Sequence, residues 1–181
     1  EDYNIVRSPK SYNSQIGVPL SVWQMNKQHT LGIFEAGISQ QGEMDKLEKI
    51  IQPTIGVFTN IGEAHGEGFK SKEQKEEEKG LLFRNAFVPS PMHVVEIKKG
   101  ASSTIISAWF DYQETENLQI EIPFTDDASI QNAISCWRIL ICLLIPDEII
   151  QQRMKLLQPV NMRLELKKGI NHCTIINDSY S

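Results

Sequence analysis

Long apolar runs, paired cysteines and an excess of basic charge are all missing from this sequence. The longest apolar stretch, Ala133 to Pro146, has 14 residues and contains Arg138, whereas a membrane helix needs about 20 predominantly apolar residues. Membrane insertion is not expected. Only three cysteines occur, Cys136, Cys142 and Cys173, with no CxxC spacing; two fall in the apolar segment, where a thiol commonly behaves as a small buried hydrophobe. They read as reduced and structural. Eighteen basic side chains stand against twenty-three acidic ones, a formal net charge of -5, so the broad positive field on which phosphate-backbone binding relies is absent. No nucleic-acid partner is expected. The opening, EDYNIVRSPK, has no apolar core and does not read as a signal peptide, which makes the cytoplasm the expected location. There is no internal repeat, and low complexity is confined to the Lys and Glu run at 72–79.

What is present is enough for a folded core: 181 residues, 40% of them hydrophobic, fit one sizeable domain or part of a larger protein. YNIVRS reads as a short strand, IGVPLSVWQM as the start of a helix that tolerates Pro19 in its first turn, and HTLGIFEAG as a second strand. GEMDKLEKIIQP is an amphipathic helix closed by Pro53, and TIGVFTNIG is a continuous apolar run of the kind expected for a strand covered on both faces. SKEQKEEEKGLLF then reads as a helix capped by Ser71. This βαβα order predicts an α/β fold, a mostly parallel sheet flanked by helices. Beyond Pro91, HVVEIKK, STIISAWFDY and LQIEIPF predict a small antiparallel β patch. Two helices follow: DDASIQNAISCWRILICLLI, apolar enough in its later half to be sandwiched in a core, and PDEIIQQRMKLLQP. HCTIINDSY closes as a strand.

Ligands of open parallel sheets sit at the carboxyl ends of strands, which directs attention to Glu35 after GIFEAG, Asn60 and His65 after GVFTNIGEAH, and Asn177, Asp178 and Tyr180 after TIINDSY. A carboxylate and an imidazole from neighbouring strand ends can hold a divalent cation, and Mg²⁺ needs few protein ligands. Each residue also has a plainer reading. Glu35 can be a solvated carboxylate, Asp178 an Asx turn, and Lys79 one more exposed charge on a solvated helix face. Composition alone does not separate these alternatives.

The order of the short motifs does more. SPKSYNSQIGVPLSV, FEAGISQQGEM, TNIGEAHGEGF, KGLLF, MRLEL and IINDSY together closely resemble the central, ATP-binding domain of the Mur ligase family, over nearly the whole chain. NSQIGVPL and GEAHGEGF are most similar to the members that join D-alanyl-D-alanine to UDP-N-acetylmuramoyl-tripeptide. The resemblance therefore implies these two compounds as partners, ATP and Mg²⁺ as cofactors, and an acyl phosphate route to the new amide. It implies that Glu35 and His65 ligate Mg²⁺ and that Lys79 is the lysine that reacts with CO₂ to give a carbamate. It also implies adenine contact by Asn132, phosphate contact by Arg163 and ribose contact by Asp178, with Asn13 and Asn60 facing the phosphate or acceptor region. Glu76, three residues before Lys79, is expected to oppose carbamate formation by favouring the ammonium. Some relatives are fused to an alanine racemase; pyridoxal phosphate would be needed only in such a fusion, and no racemase segment is present here.

Departures from the family pattern shape the remaining expectations. A GxxGKT phosphate-binding loop should precede DYNIVRSPKSYN and is absent; RNAFVPSPM is short for the strand expected between Phe83 and Pro91; Ala128 and Ser129 stand where many relatives have His and Asn. The carboxy-terminal domain that closes over ATP is also lacking. Residues 1–181 thus read as an incomplete central domain, inactive alone. The alternatives are another Mur-type or folylpolyglutamate ligase, or a degenerate, non-catalytic muropeptide-binding module.

Overall fold

Two parallel three-residue strands begin the architecture. In this computed structural model, which describes residues 2–59, 68–110, 118–159 and 165–177, β1 (Ile5–Arg7) pairs in parallel with β2 (Leu31–Ile33), Val6 opposite Gly32. The alignment continues beyond the strands, since Ser8 donates its N–H to the Ile33 carbonyl at 3.1 Å and Gly37 donates to the Asn13 carbonyl at 2.7 Å. The chain divides into two units, Glu1–Val88 and Pro89–Ser181.

In the first unit α1 (Gly17–Val22) and α2 (Glu43–Ile51) bury Val18, Met44 and Leu47 with Ile38, and Phe69, Leu81 and Leu82 pack against this cluster. Pro19 falls in the first turn of α1, where its missing N–H costs nothing. Helix α3 (Lys72–Gly80) starts at Ser71, whose side chain accepts the Gln74 N–H at 3.2 Å, as the sequence predicts. It leads directly into a short 3₁₀ turn, Leu81–Phe83. The expected continuous strand at 54–59 is not formed. It contracts to one parallel bridge, Ile55 to Phe87, with Gly56 donating to Phe87 at 2.9 Å and Phe87 to Thr54 at 2.9 Å. The partner segment explains the loss: it leaves a turn at Arg84 and meets Pro89 and Pro91, which have no N–H to extend a ladder. Instead of being covered on both faces, Phe58 remains 36% exposed.

The second unit carries a three-stranded antiparallel sheet in the order β3-β4-β5, from Met92–Lys99, Thr104–Phe110 and Leu118–Ile122, with a bulge between Val94 and Glu96. Strand β4 alternates strictly, with Thr104, Ile106, Ala108 and Phe110 buried, as expected for a sheet with one face in the core. Helix α4 (Asp127–Cys142) lays Ile130, Ala133, Ile134 and Trp137 into that core, joined by Ile150 and Met154 of α5 (Asp147–Met154). A spacing of three, one and three residues is a single helical stripe, so the later half of α4 is not sandwiched. Leu140 and Ile141 are only partly buried, and Leu144 is 88% exposed. The cysteine expectation changes with it: all three thiols are free, but Cys136 and Cys173 are exposed and Cys142 is half-buried. Strands β6 (Glu165–Lys168) and β7 (Thr174–Asn177) form a separate antiparallel hairpin. The α/β class holds, with a parallel pair, flanking helices and antiparallel sheets. Among the described residues no helix is long and apolar enough to cross a membrane.

Two outcomes are expected from this packing. Trp137 is 1% exposed, and Trp137→Ala should lower unfolding free energy by about 3–5 kcal/mol in urea titrations; a loss below about 1 kcal/mol would contradict its place at the centre of the core. Asp126 caps α4 by accepting the Ser129 N–H at 2.8 Å, and that bond holds its pKa below the ordinary 3.8. Because the folded value is depressed, its stabilisation is present above the unfolded pKa and disappears as pH falls through the folded one. Asp126→Ala should therefore cost about 1 kcal/mol at neutral pH, and the difference from the parent protein should vanish in strong acid.

Candidate functional site

Glu35 lies two residues past β2, where the chain leaves the parallel pair, and its position is set from the loop after β1. Asn13 donates its Nδ2 to Glu35 Oε1 at 2.8 Å while the Asn13 carbonyl accepts the Gly37 N–H, and Ser8 Oγ accepts the Glu35 N–H at 3.3 Å. Asn13 and Glu35, two of the residues expected from sequence, are thus joined directly. Gly37 keeps this approach close: a Cβ would stand 3.2 Å from the Asn13 side chain, a tight contact. The Glu35 side chain is exposed and one of its oxygens takes the Asn13 amide, so the second can face a cation. Carboxylate and amide oxygens are the hard donors that Mg²⁺ takes, usually with water completing its shell. The Glu35 oxygen is a donor of the type that ion takes.

Lys79 is placed by the last turn of α3, with Nζ 5.8 Å from the centre of the Phe58 ring, which in turn meets Phe83 edge-on at 5.9 Å. Burial first, and the Lys75 ammonium one turn earlier second, hold the Lys79 pKa below its ordinary value. The Phe58 face favours a cation, but the net direction is toward the neutral amine. The expected opposition from Glu76 is not what the structure shows, because Glu76 faces Lys72 at 3.8 Å and is not among the causes acting on Lys79. Part of the Lys and Glu run is not a solvated face either: Lys75 and Glu78 are 5% and 6% exposed.

Asn60 and His65 lie outside the described residues, as do Arg163 and Asp178. The residues on either side of the segment that carries Asn60 and His65 are described. It begins just after Phe58, beneath Lys79, and it rejoins at Gly68, whose backbone lies so close to Ser39 that a Cβ would fall 1.8 Å from the Ser39 carbonyl oxygen. Ser39 is four residues after Glu35. The flanks of the segment are therefore tied to the neighbourhoods of both Lys79 and Glu35. Asn132 is exposed on α4, in the second unit. Among the described residues no group of three or more His, Cys, Asp and Glu side chains is gathered as a metal cluster.

Sequence reasoning passed over Ser8, Phe58, Gly68 and Glu78. Ser8 stood within a quoted motif. Gly68 likewise lies in GEAHGEGF, whereas Glu78 carried no signal beyond its place in a charge run.

Comparison with known proteins now bears on this geometry. A family model described as the Mur ligase middle domain matches residues 2–117. The chain belongs to this family. Among curated relatives of this Mur ligase domain, the UDP-N-acetylmuramoyl-tripeptide--D-alanyl-D-alanine ligase of Bacillus subtilis is 26% identical over 204 residues, taking in 99% of the chain and 44% of that protein. The ligase of the same name from Borreliella burgdorferi is 33% identical over 124 residues, 66% of the chain and 27% of that protein. MurF from Acinetobacter baumannii superimposes with a TM-score of 0.82 at 22% identity, covering 99% of the chain and 45% of the solved one. MurF from Thermotoga maritima, solved in complex with ADP, gives 0.76 at 18% identity, covering 99% and 48%. At these identities the solved structures establish the fold of the Mur ligase domain. The chain spans less than half the length of the ligase from B. subtilis and of both MurF structures.

The close approach at Gly68 is open to test. Gly68→Ala should displace one backbone strand of the contact, costing about 1–3 kcal/mol in the manner of an overpacked core, and should speed amide hydrogen exchange in the 36–42 segment. Unchanged melting and unchanged exchange would show that the loop exit is not pinned to Ser39.

Proposed function

We propose that the protein carrying this chain is an ATP-dependent ligase that forms an amide between D-alanyl-D-alanine and UDP-N-acetylmuramoyl-tripeptide in building the peptidoglycan precursor. The observation that carries this reading is the family match over residues 2–117, together with the shared name of the curated relatives. ATP supplies a γ-phosphoryl group to the tripeptide carboxylate, the dipeptide amine displaces phosphate from the acyl phosphate, and Mg²⁺ offsets charge on the transferred group.

The roles of this chain's residues follow from their chemistry. Glu35, with its carboxylate oriented by Asn13, offers oxygen to Mg²⁺. His65 offers an imidazole nitrogen from the following loop. Lys79 is the site of carbamate formation, a reaction that requires the neutral amine; its lowered pKa supports that assignment. The carbamate replaces a cation by an oxygen donor of opposite charge. Asn132 presents an amide suited to the adenine edge, Arg163 a guanidinium suited to phosphate, and Asp178 a carboxylate suited to a ribose diol, with Asn60 and Asn13 bordering the phosphate and acceptor side. In this reading residues 1–181 are an incomplete central domain; the phosphate-binding loop and the domain that closes over ATP come from the rest of the polypeptide, and the reaction takes place in the cytoplasm.

The experiment is a phosphate-release assay on the whole protein, offered ATP, each UDP-muramoyl peptide and each candidate amine in turn. Release should require the tripeptide and D-alanyl-D-alanine together. A different preferred pair would reassign the acceptor within the ligases, and binding of muropeptide without any release would favour a non-catalytic module. Glu35→Gln should lower Mg²⁺-dependent turnover roughly 10²-fold or more while leaving the melting temperature in place; full activity would remove Glu35 from the metal side.

A further inference from the structure

We propose that Glu78 is the positioning residue for Lys79: from α3 it caps the amino-terminus of α2, and by doing so it fixes which side of α3 Lys79 presents to Phe58. Helix α2 has no side-chain cap of its own. Its N-cap, Gly42, has φ of 82° and contributes no side chain. Glu78 supplies the missing acceptor across 34 to 36 residues of sequence, its Oε1 taking the Gly42 N–H at 2.8 Å and the Met44 N–H at 3.1 Å. A carboxylate at this end of a helix is favoured both by the unpaired N–H groups and by the helix dipole. At 6% exposure, Glu78 would be costly to bury without those two donors.

The same face of α3 is held a second time. Gln74, one turn before Glu78, donates to the Gln41 side chain at 3.3 Å, and its own oxygen accepts the Lys70 N–H at 2.8 Å. Two polar anchors at i and i+4 leave α3 no rotational freedom against the 41–44 turn. Successive residues of a helix are about 100° apart, so the strip next to Gln74 and Glu78 is Lys75 and Lys79. Fixing one strip fixes the other. Lys79 then has its Nζ over the Phe58 ring because α3 cannot turn.

The catalytic consequence rests on the ligase reading above, whereas the geometric claim does not, and the test separates them. Reductive ¹³C-methylation of the whole protein in CO₂-depleted buffer labels its lysines; the Lys79 signal is assigned by its loss in Lys79→Arg. In the parent protein that signal should be displaced from the exposed Lys72 signal by the Phe58 ring current, and Phe58→Leu should abolish the displacement. Glu78→Ala should collapse it, while Glu78→Gln, which keeps an acceptor oxygen, should restore it. Should the alanine variant fail to fold, Glu78→Met fills the volume without accepting an N–H and reads the same property. Persistence of the displacement without an acceptor at 78 would overturn the proposal. In the phosphate-release assay the same variants should lower kcat roughly 10- to 100-fold, as misplacement of a reacting group does, with the KM for ATP little changed and Gln again restoring the rate. Collapse of the signal with normal turnover would uphold the positioning by Glu78 and overturn the role of Lys79.

Discussion

A carboxylate buried against the first N–H groups of another helix ties the first unit together. Glu78 reaches from α3 to Gly42 and Met44 at the start of α2. Met44 and Leu47 of that helix form the small core with Val18 and Ile38. The 39–42 turn is further cross-braced by Glu43, whose Oε2 accepts the Ser39 and Gln40 N–H groups at 2.7 and 3.0 Å. Glu35 and Lys79 lie on either side of this frame in the chain. Glu35 precedes the turn, Gly68 returns the chain against Ser39, and Lys79 follows Glu78. A charge that looks ordinary in sequence thus joins α3 to the start of α2.

Much of the fold was legible because period and punctuation agreed. The antiparallel patch of β3 to β5, the Ser71 cap and the proline that opens α5 all appear where local pattern puts them. The misreadings share a different cause, namely that apolar composition was taken for burial. The 54–59 part of TIGVFTNIG is apolar but meets a partner segment that supplies only one bridge, and the second half of α4 is apolar all round yet packs through one stripe. Neither outcome depends on the residue itself. Both depend on what lies beside it.

The candidate site was legible only as a list of residue types at strand ends. The contact of Asn13 with Glu35 was not legible, because the two are 22 residues apart and meet only through the parallel run of the chain after β1 and β2. The buried pair Lys75 and Glu78 was hidden for a physical reason: a run of mixed charge has the same letters whether its inner face meets water or the amino-terminus of a helix. Only the second environment supplies donors that make burial of a carboxylate favourable.

The bulge at Val94 to Glu96 has a consequence of another kind. Strand β3 forms an outer rim of the antiparallel sheet, with Val94, Val95 and Ile97 all more than a third exposed, the sort of border along which separate molecules stack into insoluble ladders. The irregular register breaks the repeat that such stacking requires, and the ion pair of Lys98 with Glu96 at 2.9 Å puts charge beside it. Deleting Val95 would even out the register and restore that repeat, although Val95 itself, 55% exposed, adds nothing to the core.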